Sequence, residues 1–135
     1  MFVIDASVAL GWCFDDEAST YADSILERLT IEDALVPAVW PFEVANGLRS
    51  AERRGRVRRG EIGRLRRLLL GLPISVDDGD PRWVLGDALD AALRLDLSCY
   101  DAAYVALAAR EDVPFATSDD RLRRAATAAG VEIVE

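Results

Sequence analysis

The first five residues constrain the fold most strongly. The segment Met1–Ile4 is a short, fully apolar run that contains two β-branched residues and ends at Asp5. Runs of this kind are typical of strands that are buried on both faces of a parallel sheet. In such sheets, ligands bind at the carboxyl ends of the strands, where the topology reverses. The sequence therefore predicts one of two roles for Asp5, a ligand-binding group or the N-cap of the following helix.

Further short apolar runs alternate with helical patterns along the rest of the chain. The predicted strands after the first are Ala34–Val36, Ile74–Val76, Pro114–Thr117 and Val131–Val134. This alternation favours an α/β fold with a mainly parallel sheet flanked by helices. The chain has 135 residues and shows no internal repeat or linker, so we expect a single domain over residues 1–135.

The composition excludes several kinds of catalysis. The chain contains no histidine, and all 16 of its basic residues are arginine. Histidine-based triads, histidine ribonuclease chemistry, lysine bases and phosphate-loop lysines are therefore excluded. With two cysteines and no histidine, the usual zinc site is also disfavoured. Carboxylate and hydroxyl oxygens remain, and these favour Mg²⁺ or Mn²⁺.

The ends and the cysteines indicate the cellular compartment. The apolar N-terminus lacks the positive region of a signal peptide, and no apolar run is long enough to span a membrane. We therefore expect a cytoplasmic protein in which Cys13 and Cys99 are buried thiols rather than a disulfide.

One segment departs from the acidic character of the chain. Between Arg49 and Arg67 there are nine arginines against two glutamates, a local charge of +7 in a chain whose net charge is −8. Glycines at positions 55 and 60 predict a turn between two helices here. The segment is either an arm that contacts nucleic-acid phosphates or a solvated helical hairpin.

Four acidic residues share one type of location. Asp5, Glu43, Asp101 and Asp119 each lie at the end of a predicted strand or the start of the following helix. Structural alternatives exist, because Glu43 suits the first turn of a helix and Asp101 completes a capping box with Ser98. If the four carboxylates converge without basic partners, their repulsion raises some of their pKa values. A divalent cation relieves that repulsion, which favours a metal site.

Four stretches resemble, in order, the motifs of the PIN-domain nucleases and, within that family, the VapC toxins of toxin–antitoxin pairs. They are Val3–Ser7, Pro37–Asn46, Tyr100–Tyr104 and Ala116–Leu122. Together they span almost the whole chain. The chain lacks the histidine that relatives often carry before the Tyr–Asp pair. The resemblance implies a PIN-like three-layer α/β fold.

The resemblance also implies a set of site residues. Four carboxylates would bind Mg²⁺ or Mn²⁺: Asp5, Glu43, Asp101 and Asp119. The family spacing of threonine, one residue and aspartate selects Asp119 rather than Asp120. The hydroxyls of Ser7 and Thr117 would orient the ligands or water.

The implied activity is that of an endoribonuclease. Metal-activated water would hydrolyse an RNA phosphodiester and leave a 5′-phosphate and a 3′-hydroxyl. The RNA contacts we expect in the arginine-rich segment are Arg49, Arg53 and Arg54. The implied partners are a VapB-type antitoxin that covers the acidic pocket and a second copy of the chain, bound through apolar residues of the N-terminal half.

A second hypothesis belongs to a different class, a non-catalytic metal-binding or partner-binding α/β module. The segment Asp5–Ala9 half matches the Asp-x-Ser-x-Ser motif of adhesion modules, with Ala9 in place of the second serine. The intact set of four acids favours the nuclease over a silent relative.

Overall fold

A four-stranded parallel sheet lies at the centre of the computed structural model, which describes residues 1–17 and 19–135. Its strands are β1 (Phe2–Ile4), β2 (Ala34–Val36), β3 (Ile74–Val76) and β4 (Phe115–Ala116). The order across the sheet is β3-β2-β1-β4. The chain thus builds outward from β1 in one direction and then returns to its other side. The topology switches between β1 and β4, where a doubly wound sheet places its ligands.

Eight α-helices flank this sheet in the described part of the chain. They are α1 (Ala6–Cys13), α2 (Thr20–Arg28), α3 (Trp40–Arg53), α4 (Ile62–Leu70), α5 (Pro81–Trp83), α6 (Leu89–Leu95), α7 (Cys99–Glu111) and α8 (Asp120–Ala128). Two 3₁₀ turns lie at Asp15–Glu17 and Arg59–Glu61, and a π turn at Val84–Ala88 joins α5 to α6. The predicted α/β class with a parallel sheet is confirmed.

Short polar side chains determine where the helices begin. Asp5, Ser19, Asp80, Ser98 and Asp119 each accept a hydrogen bond from a backbone N–H in the first turn of the helix that follows. Each bond satisfies one of the N–H groups that have no partner within the helix. Two of the four acids in the candidate site are therefore also helix caps.

The core forms around β1 and α7. All three residues of β1 are fully buried, as expected for a central strand with both faces covered. The buried side of α7 is rich in alanine, and this lets the helix approach its neighbours closely. Its large buried side chain, Tyr104, stacks on Phe115 of β4 with ring centroids 6.1 Å apart. This packing fixes the start of α7 beside the switch point.

Three expectations need correction. The segment Val131–Val134 forms only an isolated bridge, between Ile133 and Phe115. Cys99 is exposed rather than buried, because it lies on the outer side of the first turn of α7. The helix predicted from Pro81 to Leu95 widens into a π turn at its centre, where Gly86 tolerates irregular backbone.

None of the helices in the described ranges has the length and apolarity that crossing a bilayer requires.

Two leucines of α4 test the description of the core. Leu65 is 1% exposed and Leu70 is 79% exposed. We expect Leu65→Ala to lower the free energy of unfolding by about 2–5 kcal/mol, because it removes buried apolar surface and leaves a cavity. We expect Leu70→Ala to change it by less than about 0.5 kcal/mol. Urea denaturation of the isolated protein measures both, and equal effects would contradict the placement of α4.

Candidate functional site

Asp5 occupies the carboxyl end of β1 and is 4% exposed. Its Oδ1 accepts hydrogen bonds from the Ser7 hydroxyl at 2.6 Å and the Val8 amide at 3.2 Å. Its Oδ2 accepts one from the Thr117 hydroxyl, which follows β4. Asp5 therefore does cap α1, but this role does not occupy every acceptor position of its carboxylate. An ionised carboxylate has about four acceptor positions, and three are occupied here.

Burial makes the Asp5 carboxylate unusually basic. Its pKa is raised from 3.8 to about 6, chiefly because burial removes it from water. The hydrogen bonds from Ser7, Thr117 and Val8 offset part of this rise, and the charge of Asp119 adds a smaller increase. A raised pKa was predicted for this acid set, but burial rather than mutual repulsion is its main cause.

The hydroxyls of Ser7 and Thr117 connect the ends of β1 and β4. Besides donating to Asp5, Ser7 Oγ accepts from the Ser118 amide at 3.1 Å, and Thr117 Oγ1 accepts from the Asp119 amide at 3.0 Å. Thr117 is fully buried. These bonds hold Asp5 in a fixed orientation and bring Asp119 into its vicinity.

Asp119 and its neighbour Asp120 differ in environment. Asp119 caps α8 through the Leu122 amide at 3.1 Å, is half-buried, and contributes to the electrostatics of Asp5. Asp120 is exposed at the first position of the helix. The surroundings thus agree with the choice of Asp119 as the fourth acid.

Glu43 is held by a residue that the sequence did not single out. The hydroxyl of Tyr104 donates to Glu43 Oε1 at 2.6 Å, which joins α7 to the first turn of α3. Burial and the contact with Glu43 hold the pKa of Tyr104 far above its ordinary value, and the charges of Asp5 and Asp101 raise it further. Tyr104 therefore lies within electrostatic reach of three of the four acids. Its position three residues after Asp101, on the same face of α7, was the available sequence signal.

Asp101 differs from the expectation in two respects. Its amide donates to the capping hydroxyl of Ser98 at 3.1 Å, but its carboxylate accepts from Arg121 at 2.8 Å rather than closing the capping box. Its side chain is 25% exposed, so it is not deeply buried. The premise that the acids lack basic partners is therefore wrong at this position, because α8 brings an arginine alongside α7.

The donor set suits a hard divalent cation. The side-chain groups near the switch point that could bind a cation are carboxylate and hydroxyl oxygens, which are typical ligands of Mg²⁺ and Mn²⁺. Asp5 is buried, and the main influences on its pKa include no arginine of the described chain. A cation would offset the cost of that buried charge. In the described residues, no three Asp, Glu or Cys side chains form a group that could hold a metal ion in this conformation.

The arginines predicted to contact RNA lie away from the acids. Arg49 pairs with Glu52 at 3.0 Å, whereas Arg53 and Arg54 are exposed at the end of α3. Arg53 follows Glu43 by ten residues, which is ~15 Å along the helix axis. These arginines are therefore flanking groups and not part of the acidic site.

A groove between α3 and α4 was not predicted from the sequence. It has a volume of about 670 Å³. Its apolar lining is formed by Trp40, Val44, Leu48, Ile62, Leu69 and Leu70, and its arginines are Arg49, Arg59 and Arg66. The indole N–H of Trp40 is buried and has no hydrogen-bond partner among the described residues.

Replacing Asp5 tests whether its charge opposes folding. The folded pKa of about 6 lies above the ordinary 3.8, so ionisation destabilises the fold progressively from pH 3.8 and fully above pH 6. We expect Asp5→Asn in EDTA to raise the free energy of unfolding by ~1–3 kcal/mol at pH 7, with most of this gain absent at pH 4. Urea denaturation at both pH values measures it.

The exposed Asp120→Asn is the matched control and should give no comparable gain. If Asp5→Asn is less stable than the wild type at pH 7, then helix capping outweighs the cost of burying the charge.

Comparison with known proteins places this chain in a family. PAE2754 from Pyrobaculum aerophilum has a similar crystal structure, with a TM-score of 0.70 over 92% of this chain and 84% of that one, at 22% sequence identity. At this identity the likeness concerns the fold. No protein with a curated description matches the sequence. The sequence pattern of the PIN domain matches residues 2–128, and the chain therefore belongs to the PIN domain family.

Proposed function

We propose that the protein is a metal-dependent endoribonuclease, the VapC-type toxin of a toxin–antitoxin pair. The observation that carries the proposal is the burial of Asp5 at the switch point, in a set of four carboxylates of which only Asp101 has a basic partner in the described chain. PIN domains are generally nucleases, and membership of that family supports the reaction class.

The side chains at this site have different proposed roles. The proposed ligands of Mg²⁺ or Mn²⁺ are Asp5, Glu43, Asp101 and Asp119. Ser7 and Thr117 fix both oxygens of Asp5, and Tyr104 fixes Glu43. A bound divalent cation would activate water and neutralise charge on the phosphate. With the carboxylates oriented in advance, little reorganisation is needed during the reaction.

RNA binding is assigned to the arginines near the end of α3. Arg53 and Arg54 are exposed, and no acidic side chain of the described chain forms an ion pair with them. Arg49 lies on the same helix but shares its charge with Glu52. Together they would hold phosphates of the RNA strand at a distance from the bond that is cleaved.

The antitoxin is assigned to the groove between α3 and α4. Its floor is apolar, and of its three arginines Arg49 and Arg59 pair with Glu52, which also lines the groove. This lining favours a helix whose apolar face fills the groove. The groove begins at Trp40, three residues before Glu43. A segment bound here therefore has a short path to the acidic site, which it could cover.

Dimerisation is assigned to an exposed row of leucines. Leu85, Leu89 and Leu93 follow one another at four-residue spacing on the π turn and α6, and Leu85 and Leu93 are more than 70% exposed. Such a row can pair with its own copy about a two-fold axis. It offers an alternative to the apolar residues of the N-terminal half.

The rival hypothesis is a non-catalytic binding module. It is favoured by the structural roles of Asp5 and Asp119 as helix caps and by the ion pair of Asp101. A module of this kind would retain its contacts and cleave nothing, so a cleavage assay separates the two.

Cleavage of total bacterial RNA tests the nuclease. We expect purified protein to produce discrete new 5′-phosphate ends in Mg²⁺ or Mn²⁺ and none in EDTA. Asp101→Asn and Asp119→Asn should each lower the rate at least ~100-fold, since losing a ligand exceeds the loss typical of outer-shell partners. Sequencing of 5′-phosphate ends measures the products and maps the target.

The neighbouring Asp120→Asn serves as control and should retain activity. Equal loss in Asp119→Asn and Asp120→Asn would contradict the assignment of the fourth acid. Absence of new ends with folded wild-type protein would favour the binding module.

The salt dependence of RNA binding tests the arginines. Replacing Arg53 and Arg54 with glutamine should weaken binding and reduce the slope of log K against log salt by roughly 1.4, or 0.7 for each lost contact with a single strand. Fluorescence anisotropy in EDTA measures the slope without cleavage. The matched control replaces Arg82 and Arg94, two exposed arginines in the C-terminal half of the sequence, and should leave the slope unchanged. An unchanged slope after replacement of Arg53 and Arg54 would reject their proposed contact with RNA phosphates.

A further inference from the structure

Arg121 is the one basic side chain of the described chain that forms an ion pair with any of the four acids. Its Nη2 lies 2.8 Å from Asp101 Oδ2, so the guanidinium occupies an oxygen that a metal ligand would need. The pair links α8 to the first turn of α7. The guanidinium of Arg121 therefore places a positive charge at the edge of the acidic site.

The position of Arg121 in α8 is unfavourable by itself. It is the second residue of the helix, where the partial positive charge of the helix end repels a cation. Arg121 is also 58% exposed, so packing does not hold it there. Its acidic surroundings compensate, through Asp119, Asp120 and above all Asp101. Because exposed ion pairs are weak, this contact can be exchanged for a stronger one.

We propose that Arg121 is an exchangeable counter-ion of the acidic site. In the metal-free protein it neutralises Asp101, and when a divalent cation binds Asp101 the guanidinium is released to contact a phosphate of the bound RNA. The inference rests on the proposed function, because it requires the metal site.

The chemistry of the two partners supports this exchange. Asp101 gains more from a doubly charged ion shared with other carboxylates than from one exposed guanidinium. The planar guanidinium matches the phosphate group, which it can bind through two parallel hydrogen bonds. Arg121 thus gives an otherwise acidic pocket a phosphate contact only when the metal is present. This links RNA binding to metal binding at one side chain.

Metal binding is the first test, read from free Mn²⁺ by electron paramagnetic resonance. We expect Arg121→Gln to bind Mn²⁺ about two- to fivefold more tightly than the wild type, because the competing cation is gone. Arg121→Lys should fall between the two. The exposed Arg124→Gln, on the same helix, should match the wild type.

A double-mutant cycle separates exchange from a general field effect. In Asp101→Asn the competition has no carboxylate to act on, so adding Arg121→Gln should leave the Mn²⁺ affinity unchanged. If Arg121→Gln still tightens Mn²⁺ binding in that background, Arg121 acts through its charge alone and the proposal is overturned.

RNA binding is the second test, measured by anisotropy of a fluorescein-labelled single-stranded RNA. Ca²⁺ replaces Mg²⁺ to suppress cleavage, and intact RNA is verified on a gel. With Ca²⁺ we expect Arg121→Gln to weaken binding and lower the salt slope by about one contact, and in EDTA to change neither. The control Arg124→Gln should have the same effect on RNA affinity with Ca²⁺ as in EDTA.

The outcomes distinguish this inference from the function on which it rests. If wild-type protein binds no Mn²⁺, the metal site itself is wrong and Arg121 has no exchange to make. If the wild type binds Mn²⁺ and Asp101→Asn weakens that binding, the result supports the proposed metal site. An Arg121→Gln variant with unaltered Mn²⁺ affinity, or with equal RNA affinity loss in Ca²⁺ and EDTA, then overturns the role of Arg121 alone.

Discussion

The buried carboxylate of Asp5 is the interaction on which the rest of the site depends. It caps α1, accepts hydrogen bonds from the hydroxyls of Ser7 and Thr117, and lies at the end of a fully buried strand. Each of these contacts lowers the cost of burying a charge without removing it, and the pKa stays raised. The same group therefore stabilises local structure through its hydrogen bonds and opposes folding through its charge. Functional sites commonly combine these two effects, because a charged group whose burial is unfavourable in the free protein gains from binding a ligand.

The sheet order converts this local feature into a site. Since β1 has β2 on one side and β4 on the other, the chain crosses over between them and leaves the ends of β1 and β4 open. α7 then brings Tyr104 and Asp101 to this opening, and Tyr104 reaches Glu43 on α3. Four carboxylates from separate parts of the sequence thus share one electrostatic environment, although in the described residues they do not form a ready-made metal cage.

The sequence predicted the fold better than it predicted the contacts. The strands at Ala34–Val36 and Ile74–Val76 were predicted to the residue, because apolar runs with turn signals at both ends leave little freedom. The hydrogen bond between Tyr104 and Glu43 joins residues 61 positions apart, and no local pattern encodes such a pairing. The ion pair of Arg121 was not predicted for the same reason, because its partner Asp101 lies on another helix. The groove between α3 and α4 depends on how two helices pack, which periodicity alone does not determine.

The bond between Thr117 and Asp5 spans 112 residues, so its two partners are synthesised far apart in time. Asp5 is made well before Thr117 and Asp119. β1 also lacks its neighbour β4 until then. A chain that stops before β4 therefore carries three of the four acids, and it lacks both Asp119 and the Thr117 hydroxyl that orients Asp5 across the sheet. This order of synthesis therefore delays assembly of the acidic site until β4 and Asp119 have been made.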